Sequence, residues 1–147
     1  MSHRTRLFLI LVAAGIVLSV PAIALAQQSA PGAVTLKDFA GTWHWVFQGK
    51  SFATMVLEVK PDEVKGSITN ASVHTDSDGK ITDVRADSGS SPIVKSSFEN
   101  GILRIVVKDG GDELEWSVRL TSPTTAEIIP AGADAPKMEA IHSEKAQ

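Results

Sequence analysis

The sequence predicts an all-β protein, an antiparallel meander of about eight short strands that forms a small closed or flattened barrel. Three observations support this prediction. Apolar and polar residues alternate along most of the chain after Gly41, turn residues recur roughly every eight to twelve residues, and no segment has the apolar stripe of a long amphipathic helix. A two-sheet β-sandwich would use most of the same strands and is the alternative.

The first 26 residues have the pattern of a secretory signal peptide. Arg4 and Arg6 precede a long apolar run that ends in an Ala-Leu-Ala triplet at Ala26, which suits signal peptidase. We therefore expect a periplasmic or secreted protein, with residues 27–34 as a flexible leader and residues 35–147 as one folded domain. A retained anchor is the alternative, because the apolar run is nearly long enough to cross a bilayer. After cleavage no membrane span is expected.

Composition limits the classes of partner. The chain has 14 Lys and Arg against 17 Asp and Glu, and cleavage would remove two arginines, leaving a net charge of −5. An acidic surface disfavours nucleic acid and anionic membranes as partners, since both require basic patches. The chain has no cysteine, so no disulfide can stabilise the exported domain. Its stability must come from core packing and strand pairing.

A short helical turn at residues 35–40 and four strands make up the first half of the domain. Trp43, Trp45 and Phe47 share one face of the first strand, because side chains alternate between the two faces. The second strand has Met55 in the middle of its apolar face. The expected strands of this half lie at residues 41–48, 51–60, 64–73 and 81–86, and a Ser/Gly-rich break follows at residues 87–91.

Turn signals are clearer in the second half. Asn100-Gly101 is the favoured dipeptide of a two-residue hairpin turn. One strand alternates without interruption, and its apolar residues are predicted to point inward: Leu114, Trp116, Val118 and Leu120. The expected strands lie at residues 93–98, 102–108, 113–120, 126–129 and 137–142.

The five residues from Phe39 to Trp43 (FAGTW) resemble the opening of the lipocalin-like (calycin) barrels. In those barrels a Gly-x-Trp sequence follows a short helical turn, and the Trp plugs one end. Avidin-type barrels also begin with Gly-Thr-Trp. The resemblance covers residues 36–60 and the strand count, and it implies that Trp43 is a structural plug.

Two features differ from these families. Lipocalins usually place an Arg over the plugging Trp from the last strand, where this chain offers only Lys137, His142 and Lys145. The later Trp-rich and Ser/Thr-rich strands with which avidins hold biotin are also missing. As a whole, the chain is most similar to small secreted bacterial proteins of unassigned function.

No motif predicts catalysis or metal binding. Residues 74–79 (HTDSDG) suggest a calcium loop, but His74 and Arg85 stand at the first and twelfth ligand positions, where an EF-hand requires oxygen ligands. A polar turn is therefore expected there. The histidines lack ligand spacing, no Gly-x-Ser-x-Gly occurs, and Glu113 and Glu115 are expected on a solvated face. We expect no catalytic residue, no metal and no cofactor.

Aromatic side chains give the one positive indication of function. Trp45, Phe47, Met55 and Trp116 would line an apolar interior that Trp43 closes at one end. The first hypothesis is therefore a module that binds a small apolar or amphipathic molecule. An eight-stranded barrel is just wide enough to be filled by side chains or to hold one small ligand. The second hypothesis is a solid barrel that binds an envelope or secreted protein through an exposed sheet edge and the Ser/Gly-rich segment. The sequence does not predict the oligomeric state.

Overall fold

A computed structural model describes residues 32–147. The expected signal peptide and residues 27–31 of the expected leader lie outside these residues, and both stay predictions. Within the described part of the chain, no helix has the length and apolarity needed to cross a membrane.

Eight antiparallel strands form a closed barrel in which each strand pairs with the next and the last pairs with the first. The predicted meander and barrel are confirmed, and the sandwich alternative is wrong. A 3₁₀ helix (Leu36–Phe39) precedes the barrel, as the helical turn predicts. The strands are β1 (Gly41–Phe47), β2 (Lys50–Val59), β3 (Val64–Thr75), β4 (Ile81–Glu99), β5 (Ile102–Asp109), β6 (Asp112–Ser122), β7 (Thr125–Ala131) and β8 (Ile141–Lys145).

β4 is longer than the sequence predicts. The expected break at residues 87–91 is part of this strand, where Ser90 pairs with Thr69 of β3 and Gly89 has a φ of 91°. A register shift beside Thr69 bends the strand without ending it. β4 pairs with β3 up to Pro92 and with β5 from Ile93 onward, so the predicted strands at 81–86 and 93–98 are two parts of one strand. The expected exposed edge is also wrong, since the described strands close on themselves.

The last strand begins later than predicted, at Ile141 rather than at residue 137. Residues 132–140, which we call the strap, form the connection from β7 to β8. The Glu139 N–H donates to the Gly79 carbonyl at 2.8 Å, and the Glu139 carboxylate accepts from the Ile81 N–H at 2.7 Å. The strap is therefore bound to the β3–β4 turn, which keeps its residues out of the sheet.

The barrel interior is filled with apolar side chains, and most of the predicted inward faces are confirmed. Trp43 and Met55 are fully buried, and Trp45 is 3% exposed. Strict alternation along β2 would put Phe52 on the face opposite Met55, but Phe52 is buried, because β2 bulges there: Trp45 pairs with Ala53, and the next residue of β1 pairs with Ser51. The bulge turns the Phe52 ring inward against Trp45.

β2 and β3 approach so closely that only glycine fits at position 66. Gly66 lies opposite Leu57 and has a φ of 141°, and a Cβ at this position would lie 1.8 Å from the Val56 carbonyl oxygen. Any side chain would force the two strands apart.

We therefore expect Gly66→Ala to lower the free energy of unfolding by about 2–6 kcal/mol, because strained backbone and overpacking each cost about 1–3 kcal/mol. Urea unfolding of the purified domain measures this. Gly110→Ala is the matched control, since Gly110 also has a positive φ (61°) but an added Cβ would meet nothing within 4 Å. Equal losses in the two variants would contradict the close approach.

Candidate functional site

One end of the barrel is covered by the 3₁₀ helix and Trp43. The Trp43 Nε1 donates to the Phe39 carbonyl at 2.8 Å, and the Phe39 ring packs edge-on against Phe98 with 5.8 Å between centroids. Lys145 of β8 places its Nζ 5.2 Å from the Trp43 ring centroid and donates to the Asp38 carbonyl at 3.1 Å. Of the three basic residues offered by the end of the chain, Lys145 is the one that lies over Trp43.

Asp38 fixes the start of the 3₁₀ helix beneath this cover. Its carboxylate accepts from the Thr35 N–H at 2.7 Å and from the Thr35 hydroxyl at 2.9 Å. The backbone hydrogen bond from Thr35 is the largest cause that holds the pKa of Asp38 below its usual value, followed by the Thr35 hydroxyl, with the Lys145 charge a smaller one. These bonds order the turn against which Trp43 packs.

The opposite end, which we call the mouth, is bounded by the β1–β2, β3–β4 and β5–β6 turns and by the strap. An aromatic cluster lies just inside it. The Trp45 ring meets Trp116 edge-on at 5.1 Å and Phe52 edge-on at 6.3 Å, both within the range of favourable aromatic pairs. This cluster ends the filled part of the barrel.

A cavity of about 60 Å³ lies beside the aromatic cluster. It is small enough that side chains rather than open space make up most of the barrel interior. Its apolar lining consists of Trp45, Ile68, Ala71, Val73, Val107, Leu114 and Trp116, and its polar lining consists of Thr69, Asn70, Ser91 and Asp109.

Two polar groups of the residues that line this cavity differ in their hydrogen bonding. Buried Ser91 donates its hydroxyl proton to the Asn70 side-chain oxygen at 2.8 Å. In contrast, the Trp45 Nε1 is buried and has no hydrogen-bond partner among the described residues. Leaving a buried donor unpaired costs about 1–3 kcal/mol, and native proteins rarely do so without a reason. Trp45 therefore lines the cavity and carries a buried hydrogen-bond donor without a partner among the described residues.

The cavity continues into a groove of about 620 Å³ beneath the strap. Leu114 and Trp116 line both spaces, as do Ala71 and Val73. Leu114 was predicted to point inward; it lies at this junction with 44% of its surface exposed, because β6 begins here at the mouth. Met138 of the strap adds apolar surface to the groove, and four carboxylates line it: Asp112, Glu113, Glu115 and Asp134.

The β3–β4 turn, which contains the segment that suggests a calcium loop in the sequence, holds the strap in place. Asp76 Oδ1 accepts from the backbone N–H groups of Asp78 and Lys80, each at 2.9 Å, so the segment is the expected polar turn. Gly79 is buried against the strap, and a Cβ there would lie 2.6 Å from the Lys137 carbonyl oxygen. Between residues 32 and 147 no group of three or more His, Cys, Asp or Glu side chains could hold a metal ion.

The predicted ligand-binding residues separate into two sets. Trp45 and Trp116 line the cavity, whereas Met55 is fully buried and Phe47 packs against the core without lining the cavity or the groove. A ligand role for all four stays a prediction.

Sequence reasoning missed Asn70 and the strap residues. A change in the alternation of β3 could have identified Asn70. The inward-facing residues of this strand have even numbers up to Ile68 and odd numbers from Ala71 onward. The register shift between Thr69 and Ala71 accounts for this change. It leaves Asn70 out of the pairing with β4, beside the cavity.

Comparisons of the chain with protein-family models, with curated proteins and with solved structures give no match. The eight-stranded antiparallel closed barrel is consistent with the lipocalin-like resemblance of its first strand.

The two buried tryptophans of β1 give a matched test of the unpaired donor. Trp43→Phe removes a 2.8 Å hydrogen bond, whereas Trp45→Phe removes an N–H that has no partner. We expect Trp43→Phe to lower the free energy of unfolding by about 1–3 kcal/mol more than Trp45→Phe. Urea unfolding measures both. Equal losses would show that the Trp45 N–H is satisfied in solution.

Proposed function

We propose that this chain is an exported, lipocalin-like binding protein that holds a small amphipathic molecule at the mouth of the barrel. The observation that carries the proposal is the buried, unpaired N–H of Trp45, a residue that lines a cavity beside a groove. Binding sites are typically apolar spaces with a few polar groups that fix the ligand's orientation. Export rests on the signal-like pattern of residues 1–26.

The dimensions of the two spaces define how such a ligand lies. The 60 Å³ cavity has room for about two non-hydrogen atoms, since a water molecule occupies about 30 Å³. Only a small end of the ligand enters it, and that end must carry a hydrogen-bond acceptor to satisfy Trp45. The apolar body then lies in the groove on Leu114, Trp116 and Met138. The site is therefore shallow rather than a deep central pocket.

The filled interior also favours the second hypothesis, a barrel that acts only through its surface. Seventeen apolar side chains of residues 32–147 are buried, and they leave little of the interior unoccupied. The two candidates differ in what happens to the Trp45 N–H. In a binding protein a bound ligand supplies its hydrogen-bond acceptor, whereas in a surface module the N–H has no acceptor.

The first test uses 3-(4-methoxyphenyl)propan-1-ol, a neutral probe whose methoxy oxygen is a small acceptor. Its titration into ¹⁵N-labelled protein is expected to shift the indole N–H resonance of Trp45 strongly and that of Trp116 moderately. The Trp43 resonance, whose N–H already has a partner, should stay in place. The three signals are assigned with Trp→Phe variants. If the probe at saturation of its solubility leaves the Trp45 signal unmoved, the binding proposal is wrong and the surface module is favoured.

The strap provides a second test of the same site. Gly79→Ala places a Cβ against the Lys137 carbonyl and should displace the strap, because the φ of Gly79 is 85° and the contact would be 2.6 Å. We expect probe affinity to fall about fivefold or more, which corresponds to about 1 kcal/mol. Isothermal titration measures this.

Gly49→Ala is the control, since Gly49 has a φ of 75° in another turn and its Cβ would meet nothing within 4 Å. If Gly79→Ala leaves the affinity for the probe unchanged, the strap is not part of the binding site.

A further inference from the structure

We infer that the ligand of this site is a small apolar cation: an amine or quaternary ammonium at one end and a hydrogen-bond acceptor at the other. This inference rests on the proposed function and specifies its ligand class. The two ends of the ligand are inferred from different observations. The unpaired Trp45 N–H requires a hydrogen-bond acceptor at one end, and the negative charge of the groove favours a cation at the other.

The side chains that line the cavity and the groove carry charge of one sign only. In the described part of the chain, no Lys, Arg or His lines either space. Lys108 and Lys137 belong to the neighbouring β5 end and to the strap but do not line either space. The carboxylates number five: Asp109, Asp112, Glu113, Glu115 and Asp134.

Basic residues on the outside of the barrel neutralise only part of this charge. Lys95 pairs with Glu113 at 3.1 Å, and Arg104 pairs with Glu115 at 3.5 Å. Among residues 32–147, the other three carboxylates that line these spaces have no ion-pair partner: Asp109, Asp112 and Asp134. The lining of the cavity and the groove is therefore negative even after the ion pairs are counted, and it attracts cations and repels anions.

An aromatic ring stands where the cation would lie. Trp116 is half-buried and lines both the cavity and the groove, so a ligand that spans the two spaces must pass it. Ammonium groups are attracted to the face of a Trp ring as well as to carboxylates. Asp112 and Asp134 lie on the β5–β6 side and on the strap side of the same groove. A cation near Trp116 would be within the field of both.

The two ends of the site therefore define one molecule. A small acceptor group, such as an ether, carbonyl or hydroxyl, reaches Trp45 through the 60 Å³ cavity. A short apolar or aromatic body covers Leu114 and the strap Met138, and the cation lies beside Trp116, on the side of the groove that faces Asp112 and Asp134. An acidic ligand would place its charge against unpaired carboxylates and is excluded on this argument.

Four compounds of similar size separate the parts of the inference. 4-Methoxyphenethylamine carries both the cation and the acceptor, phenethylamine only the cation, 3-(4-methoxyphenyl)propan-1-ol only the acceptor, and 3-(4-methoxyphenyl)propionate an anion with the acceptor. At low salt we expect the methoxy amine to bind about tenfold or more tightly than the propionate and more tightly than the alcohol. Phenethylamine should bind more weakly than its methoxy analogue. Added salt should weaken amine binding and leave alcohol binding unchanged, because salt screens exposed charges.

A charge-removing variant locates the cation. Asp112→Asn together with Asp134→Asn should lower the affinity of the methoxy amine to that of the alcohol, with no effect on the alcohol itself. Asp62→Asn is the matched control, since it removes the same charge from an exposed residue of the β2–β3 turn, away from the mouth.

The outcomes distinguish this inference from the proposed function. If alcohol and propionate shift the Trp45 indole resonance as readily as the amine, the site binds ligands but its charge selectivity is overturned. The charge selectivity is also overturned if neither added salt nor the double substitution Asp112→Asn, Asp134→Asn changes the affinity for the amine. If none of the four compounds moves the Trp45 resonance, the proposed function itself fails.

Discussion

The closure of the barrel by β8 is the constraint on which the rest of the structure depends. This five-residue strand pairs with β7 on one side and with β1 on the other. Its buried Ser143 donates to the His44 carbonyl at 3.1 Å, which adds a side-chain bond to the ladder. A closed sheet leaves no edge, and in eight strands it leaves an interior of nearly fixed width. The side chains that fill the interior must fit that width.

The large aromatic residues of β1 decide how the width is used. Trp43 and Trp45 follow one another along the inner face, and each buries on the order of 150–250 Å². Trp43 gives its N–H to the 3₁₀ helix, so it completes one end, whereas Trp45 meets Phe52 and Trp116 and stops short of the mouth. The result is a solid barrel with a shallow recess. In the function proposed above, the turns and the strap that surround this recess form the binding site.

Period-two alternation was sufficient to predict the barrel, because in β1, β5 and β6 the inner face is apolar nearly throughout. It failed where the alternation shifts. The bulge at Phe52 and the bend of β4 each change which face a residue occupies, and both depend on pairing with a neighbouring strand rather than on local sequence.

The candidate site could be predicted only in part. Trp45 and Trp116 are bulky, inward and unmistakable in the sequence. The unpaired state of the Trp45 N–H is a tertiary property, and so is the docking of the strap on Gly79. Residues 132–140 have no alternation that would mark them as part of a binding site. Lys145 was one of three basic candidates, and only the register of β8 against β1 selects it.

The change of partners along β4 has a mechanical consequence. Pro92 has no N–H, so the ladder to β3 ends there, and the Val64 N–H of β3 donates instead to the Ser96 hydroxyl at 2.9 Å. The wall is held at this point by a side chain rather than by a run of backbone bonds. Local opening follows the least-bonded part of a structure. Thermal breathing of the barrel should therefore concentrate between β3 and the second half of β4, while the strands around Trp45 keep their spacing.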